Sequence, residues 1–507
     1  MRPAAIVAAL LALAACKVDV EGAPCGLPGT TADCPSGQAC GVDGRCSAGA
    51  DQCLDASERC APGTSRCSLE GDRIETCTAN APCGAWEFLP GNPDCGHSGL
   101  VCVGGETPVC GCPGAFAGPQ FAADPIAGSA AGAPPFPTGA ASPSQCRFRS
   151  LGDAVSRASA VAGPATVQVY GASGAQVVFD ASSGDGPIAI PANVTVNAAA
   201  GAAATTLHAA ASSGTPLVTL AGTLQGFKLD ARDAGIAVQT SCGTSTPTLS
   251  GVTVDGGGTA GVGVAVSGGC GAALSHVDVT SVAGPALQIG ADATADVVVT
   301  GGSLRGSQVG ALITGGHVTL GSGSSSGVDI GGNSGEGVLF QAGAAIAGQL
   351  QYATIHDNGG TGVVVDRVSA GSAVALRSCL VRANGTTAPR MYGGGSPQRP
   401  AGGVIVIQPA LPFTFTGNQV SRNAGDQLVF DSSAQAWTIA VGRCQDTNTF
   451  SCVPDGALAV AVNGGKVDAT NTYWPGIPVS AYAGPGVTTT PYCNNSGAQW
   501  PATPPCP

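Results

Sequence analysis

Residues 350–366 read LQYATIHDNGGTGVVVD, and 376–384 answer with LRSCLVRAN. Each joins a short alternating strand to an Asn at its end, and a Gly-led apolar run follows. The same grammar extends along the chain. Gly-led runs begin at GVGVAV (261), GPALQI (284), GALI (310), GVLF (337), GVVV (362) and GVIV (403), with steps of 23, 26, 27, 25 and 41 residues. A companion series reads LSGVTVD (249), LSHVDVT (274), LQYATIHDN (350), LRSCLVRAN (376) and FTGNQVSRN (415). Asn333, Asn358, Asn384 and Asn423 hold the same place before a turn. Strands this short are unstable alone, and a step near 25 residues means stacked coils. Asn tolerates left-handed turns, and stacked amides can bond from coil to coil. A β-sandwich would show strands every ~8–12 residues joined by hairpins, without this longer phase. The pattern predicts a mainly β, parallel solenoid of about 12 coils.

Working outward, FRSLGDAVSRASAVAG places Phe148, Leu151, Val155, Ala158 and Ala162 on one helical face, with Ser150 as N-cap and Gly163-Pro164 as the stop. TVQVY follows, so this helix is expected to cap the first coil. With that helix, the Asn358-to-Val365 step and KVDATNTYWPG at 466–476, the chain resembles the pectate-lyase-like right-handed parallel β-helix superfamily over roughly 146–480. The last segment is similar to an Asn-x-x-Trp-Gly closing motif, with Thr472 and an inserted Pro475 as departures. The resemblance implies a right-handed coil. It leaves function open, because the fold hosts lyases, hydrolases and adhesins.

Upstream the chain changes character. Residues 113–145 are rich in Pro, Gly, Ala and Ser and read as a linker. Before it, 16–112 packs 13 cysteines between Cys25 and Cys112, with few apolar runs. In an exported chain such density means disulfides that stand in for a core. Zinc fits poorly: no Cys-x-x-Cys pair occurs, and His97 is the stretch's one histidine. Thirteen is odd, and Cys146 can pair with the unmatched member; further candidate pairs are Cys242 with Cys270, Cys444 with Cys452, and Cys493 with Cys506, which leaves Cys379 as a buried free thiol. Residues 481–507 form a tail or a cap.

Residues 1–15 carry Arg2, an apolar run and small residues, the order of an export signal. Leu13-Ala14-Ala15-Cys16 resembles a bacterial lipoprotein lipobox. That resemblance implies cleavage before Cys16, its lipidation, and a membrane anchor for the mature chain. Lys17, in place of a retention Asp, favours the outer membrane of the bacterial cell envelope, with the body facing the periplasm or the surface.

Composition narrows the activity. Charged residues are 10% of the chain, against about a quarter in ordinary domains, and the net charge is -12. Nucleic acid is a poor partner for so few basic residues. Polysaccharide lyases of the resembled fold use acidic calcium ligands and a base, and its hydrolases use grouped Asp residues. Neither motif set is present, and Gly315-Gly316-His317 lacks the Gly and Asp partners it would need. The candidate catalytic cluster is His356, Asp357, Asp366, Arg367, Arg377 and Arg382, beside the polar excursion at 386–400. The sequence favours a non-catalytic, monomeric envelope lipoprotein that binds carbohydrate or protein, with no metal and no cofactor. The alternatives are a lyase or glycosidase, with calcium needed only by the lyase, and a purely structural protein.

Overall fold

The computed structural model describes residues 60–79 and 85–95, shorter pieces between 34 and 123, most of 147–431 and parts of 436–488. Cys16, Cys444, Cys493, Cys506 and the TNTYWPG segment lie outside the described residues. The chain divides into two compact units, one of residues 1–118 and 134–146, the other of 119–133 and 147–507.

In the first unit, strands Ser65–Cys67, Ile74–Thr78 and Ala85–Glu87 form an antiparallel sheet. Disulfides join Cys34 to Cys46, Cys60 to Cys77, Cys67 to Cys102 and Cys95 to Cys110. Among the described residues, Ile74, Cys95 and Cys102 form a buried cluster packed by Cys67 and Cys110, and Cys34, Cys46 and Cys77 are also buried. Cystine sulfur therefore fills the place that aliphatic side chains hold in a larger domain.

The second unit is a right-handed parallel β-helix. Each coil contributes a strand to three parallel sheets. The first sheet runs through Ala165–Val169, Val194–Ala198, Thr223–Gln225 and on to Ala373–Arg377 and Phe413–Thr416. The second includes Asp329–Gly331, Thr354–His356, Leu380–Arg382 and Gln419–Ser421. The third includes Val338–Gln341, Val363–Asp366, Arg399–Ile407 and Asp426–Asp431. Inward positions stack like on like: Leu304, Ile330, Ile355, Val381 and Val420 form one buried column. Phe413, Phe415, Phe430 and Phe450 pack against one another inside the C-terminal coils. The turns are fewer than the expected 12, because coils are uneven: 29 residues separate Ala165 from its partner Val194, and 41 separate Val363 from Val404.

The repeating Gly has a steric cause. A Cβ on Gly310 would lie 2.4 Å from the Gly337 carbonyl oxygen, and one on Gly337 would lie 2.6 Å from that of Gly362. One on Gly362 would in turn lie 2.9 Å from that of Gly403. Coils touch backbone to backbone at this corner, so no side chain fits. The Asn column lies beside it. Asn333 donates from Nδ2 to Asn358 Oδ1 (2.8 Å), Asn358 to Asn384 (2.8 Å) and Asn384 to Asn423 (2.9 Å). Asn423 closes the series on Gln427 Oε1 (2.7 Å). Each backbone N–H from Asn333 to Asn384 also donates to the next Oδ1. The residue before each Asn is left-handed (Gly332, Asp357, Ala383, Arg422), which turns the chain at the same point in every coil.

The capping helix α1 spans Leu151–Ser159, shorter than the expected face. It buries Leu151, Ala154, Val155 and Ala158, while Phe148 belongs to a preceding strand and Ala162 lies beyond the helix. Ser150 Oγ accepts from Asp153 N, and Asp185 accepts from the amides of Leu151 and Gly152. One correction concerns the linker. Within 113–145, Gln120–Ala123 is a strand parallel to Ala165–Val169, and Phe121 is buried. Its Phe-Ala-Ala core was too short to stand out from a Pro/Gly/Ala background.

Cys242 is bonded to Cys270, and Cys452 is disulfide-bonded. Cys379 is free and buried, and burial pushes its thiol up to about 12. It heads a second, shorter amide series: its N–H donates to Asn418 Oδ1, and Asn418 Nδ2 to Asn448 Oδ1. A thiol reagent at neutral pH is expected to leave the native protein unlabelled and to take up one equivalent after denaturation without reductant. Three or more equivalents would contradict the pairing scheme.

Candidate functional site

Strand residues alternate inward and outward, and parallel registers place equivalent outward residues ~4.8 Å apart on successive coils. On the second sheet this alignment gathers charge. One outward column runs Lys228, Thr253, Asp278, Ser303, Asp329, Thr354. Its neighbour runs His208, Asp230, Asp255, Thr280, Arg305, Gly331, His356, Arg382.

The groups pair within and across the columns. Asp230 Oδ2 lies 3.0 Å from His208 Nδ1 and accepts from Arg232 at 2.8 Å. Burial opposes its carboxylate, but the Arg232 guanidinium and His208 outweigh it and hold Asp230 below the usual carboxylate range. Lys228 Nζ is 3.8 Å from Asp255, and Ser303 donates to Asp278 at 2.6 Å. At the centre, Asp329 pairs with Arg305 and sits 2.8 Å from His356 Nε2. His356 Nδ1 is 2.6 Å from Asp357 Oδ2. Gly331 permits this arrangement, since a Cβ there would lie 2.8 Å from the imidazole ring. The His356 side chain is 15% exposed, and both of its nitrogens face carboxylates.

The six candidate residues therefore do not form one cluster. His356, Asp357 and Arg382 belong to the second sheet and the turn after it. Asp366 and Arg367 belong to the end of a third-sheet strand, and Arg377 ends a first-sheet strand. Only a full coil brings residues together; a separation of ten residues moves the chain to another sheet. Asp366 does share its face with arginines: Arg367 Nε is 3.0 Å away and Arg390 3.9 Å. Arg390 also bonds Glu336 at 3.0 Å.

The excursion at 386–400 supplies a feature that sequence reasoning missed. Arg390–Tyr392 pairs antiparallel with the start of Arg399–Ile407. The resulting hairpin adds Tyr392 and Ala401 to a cluster with the outward apolar residues Leu339, Val364, Ile405 and Val429. Asp426, 1% exposed, anchors it. Asp426 accepts from Tyr392 Oη, from Arg399 at 2.9 and 2.8 Å, and from Leu458 N at 2.5 Å. The 41-residue step was the available signal, but nothing in it named Asp426 as the partner.

Among the described residues, two cavities on the β-helix stand out. One, ≈ 670 Å³, is lined by Val155 and Ser156 of α1, by 187–192 and by Cys242. The other, ≈ 230 Å³, lies on the second sheet between Arg382 and Arg422. Among the described residues, no group of three or more His, Cys, Asp or Glu is arranged to hold a metal ion.

Comparison with known proteins bears on the architecture. No curated protein sequence matches the chain. Among solved structures, it is similar to the A-module of mannuronan C-5 epimerase AlgE4 from Azotobacter vinelandii, at 14% identity and a TM-score of 0.33, over 67% of this chain and 93% of that one. It is also similar to pectate lyase Pel9A, at 11% identity and a TM-score of 0.29, over 74% of this chain and 78% of that one. The family model described as "Right handed beta helix region" matches residues 234–399, which include Asn333, Asn358 and Asn384 of the Asn column and the central ion pairs.

Proposed function

We propose that this protein is a non-catalytic lipoprotein of the bacterial envelope that presents its β-helix to carbohydrate. The observation that carries the reading is the state of His356. A general base needs a nitrogen free to take a substrate proton, and both ring nitrogens here are engaged by Asp329 and Asp357. The neighbouring acids are likewise tied to Arg, Lys or Ser. Disulfides in both units suit an oxidising compartment outside the cytoplasm. The lipobox-like end supplies the anchor, with Cys16 as the acylated residue.

Two measurements test this. Cells fed a labelled fatty acid are expected to label the wild-type chain and not Cys16→Ala; equal labelling would remove the anchor. The purified soluble body, incubated with a polysaccharide panel with and without calcium, is expected to bind without turnover. New reducing ends or unsaturated uronate, lost in His356→Ala, would establish the lyase or glycosidase alternative instead.

A further inference from the structure

We infer that the ≈ 230 Å³ cavity between Arg382 and Arg422 is a binding site for a sulfate- or phosphate-type oxyanion, free or carried on a sugar. Leu380, Gln419, Ser421, Ser451 and Cys452 complete its lining. The position is exceptional within its own sheet. From His208 to His356, each cationic side chain of the two outward columns meets a carboxylate. Past His356 the columns continue as Arg382, Ser421, Ser451 and as Leu380, Gln419, Thr449, with no acid among them. Among the described residues, neither Arg382 nor Arg422 has an ion pair or a side-chain hydrogen bond. In a chain with 32 acidic and 20 basic residues, two arginines facing one cavity with no carboxylate among its described lining residues call for a ligand anion.

The rest of the lining suits that ligand. Guanidinium groups bind oxyanions through paired N–H donors, and serine hydroxyls and the Gln419 amide can add further donors. Ser421 and Ser451 are buried within that lining. The left-handed backbone of Arg422 places it at the turn directly after Ser421, and its N–H donates to Cys452 O, which fixes one coil against the next. A cavity of ≈ 230 Å³ falls below the roughly 300–1,000 Å³ of whole-ligand pockets, so it fits one anionic group rather than an oligosaccharide.

This assignment deepens the reading of the β-helix as a binding module and rests on it, while inorganic anions probe the site separately. Calorimetric titration of the full chain with sulfate and with phosphate, at constant ionic strength, is expected to saturate at one site. Arg382→Gln and Arg422→Gln should each weaken binding at least tenfold, and Arg377→Gln should leave it unchanged, with thermal unfolding of all three like wild type. Non-saturating titration, or equal losses in Arg377→Gln, would overturn the site. Dextran sulfate against uncharged dextran separates the sources: retention of dextran sulfate alone, lost in the double variant, assigns a sugar-borne group. Binding of the inorganic ion alone assigns a free one and counts against the carbohydrate reading but not the site. Dextran sulfate binding that survives in the double variant would sink the site while sparing the broader reading.

Discussion

Asn384→Ala is expected to destabilise the β-helix by about 4 kcal/mol, since each buried polar group left unpaired costs roughly 1–3 kcal/mol. Asn384 is fully buried. Its Oδ1 accepts from Asn358 N at 3.2 Å and from Asn358 Nδ2 at 2.8 Å, and its Nδ2 donates to Ile355 O at 3.0 Å. Alanine strands those three groups away from water, while Asn423 Oδ1 keeps the Asn384 backbone donor. Denaturant unfolding should show a lower midpoint at an unchanged slope. Cys379 offers a local reporter five residues away in the same coil, across the strand Leu380–Arg382. If the coil opens more easily by about 4 kcal/mol, labelling of its thiol should accelerate by roughly a thousandfold, at tenfold per 1.4 kcal/mol. A loss below about 1 kcal/mol, the size of one ordinary hydrogen bond, would show that the amide column merely accompanies the coil and does not hold it.

The same column shows what was legible in the sequence. Asn333, Asn358, Asn384 and Asn423 stand out because they fill the same corner in successive coils, where Ser307 stands one coil earlier. The leading glycines stand out for a related reason, since coil-to-coil carbonyl contacts exclude a Cβ at Gly310, Gly337 and Gly362. Asn418 and Asn448 do the same work at another corner but form too short a series to reveal a period. The charged face was only partly visible. His356 and Asp357 are neighbours in sequence, whereas Asp329 and Arg305 reach them from one and two coils earlier. Knowing that they converge requires the coil phase to the residue, because an error of one moves a side chain from the surface to the core. Asp366 and His356 looked adjacent on the page and lie on different sheets for the same reason.

Asp426→Ala is expected to release the hairpin at 390–401 and to cost about 3 kcal/mol, the low end for removing one partner of a buried ion pair. Arg399, with a side chain 43% exposed, can regain water, but the Tyr392 hydroxyl and the Leu458 N–H lose a buried acceptor. The expected signature is local: trypsin should cut after Arg390 in the variant under conditions that spare wild type, and a hydrophobic dye should bind the uncovered Val364, Ile405 and Val429. Cleavage unchanged from wild type would mean that apolar contact alone holds the hairpin. Alkaline pH should reach the same contact by another route. Burial first, then the hydrogen bond to Asp426 and its charge, push the Tyr392 phenol well above its ordinary value. An unfolded tyrosine ionises near pH ~10, so between that pH and the higher native value the unfolded state has lost its proton and the native state has not. Stability then falls with rising pH, because the unfolded state binds fewer protons. The contribution is complete below the unfolded value and is lost as pH climbs through the native one. Hairpin protection in wild type should therefore decline above pH ~10, and Tyr392→Phe, with no proton to lose, should flatten that decline. If the phenylalanine variant loses protection along the same curve, the phenol is not the titrating group and the hairpin is held by Arg399 and packing.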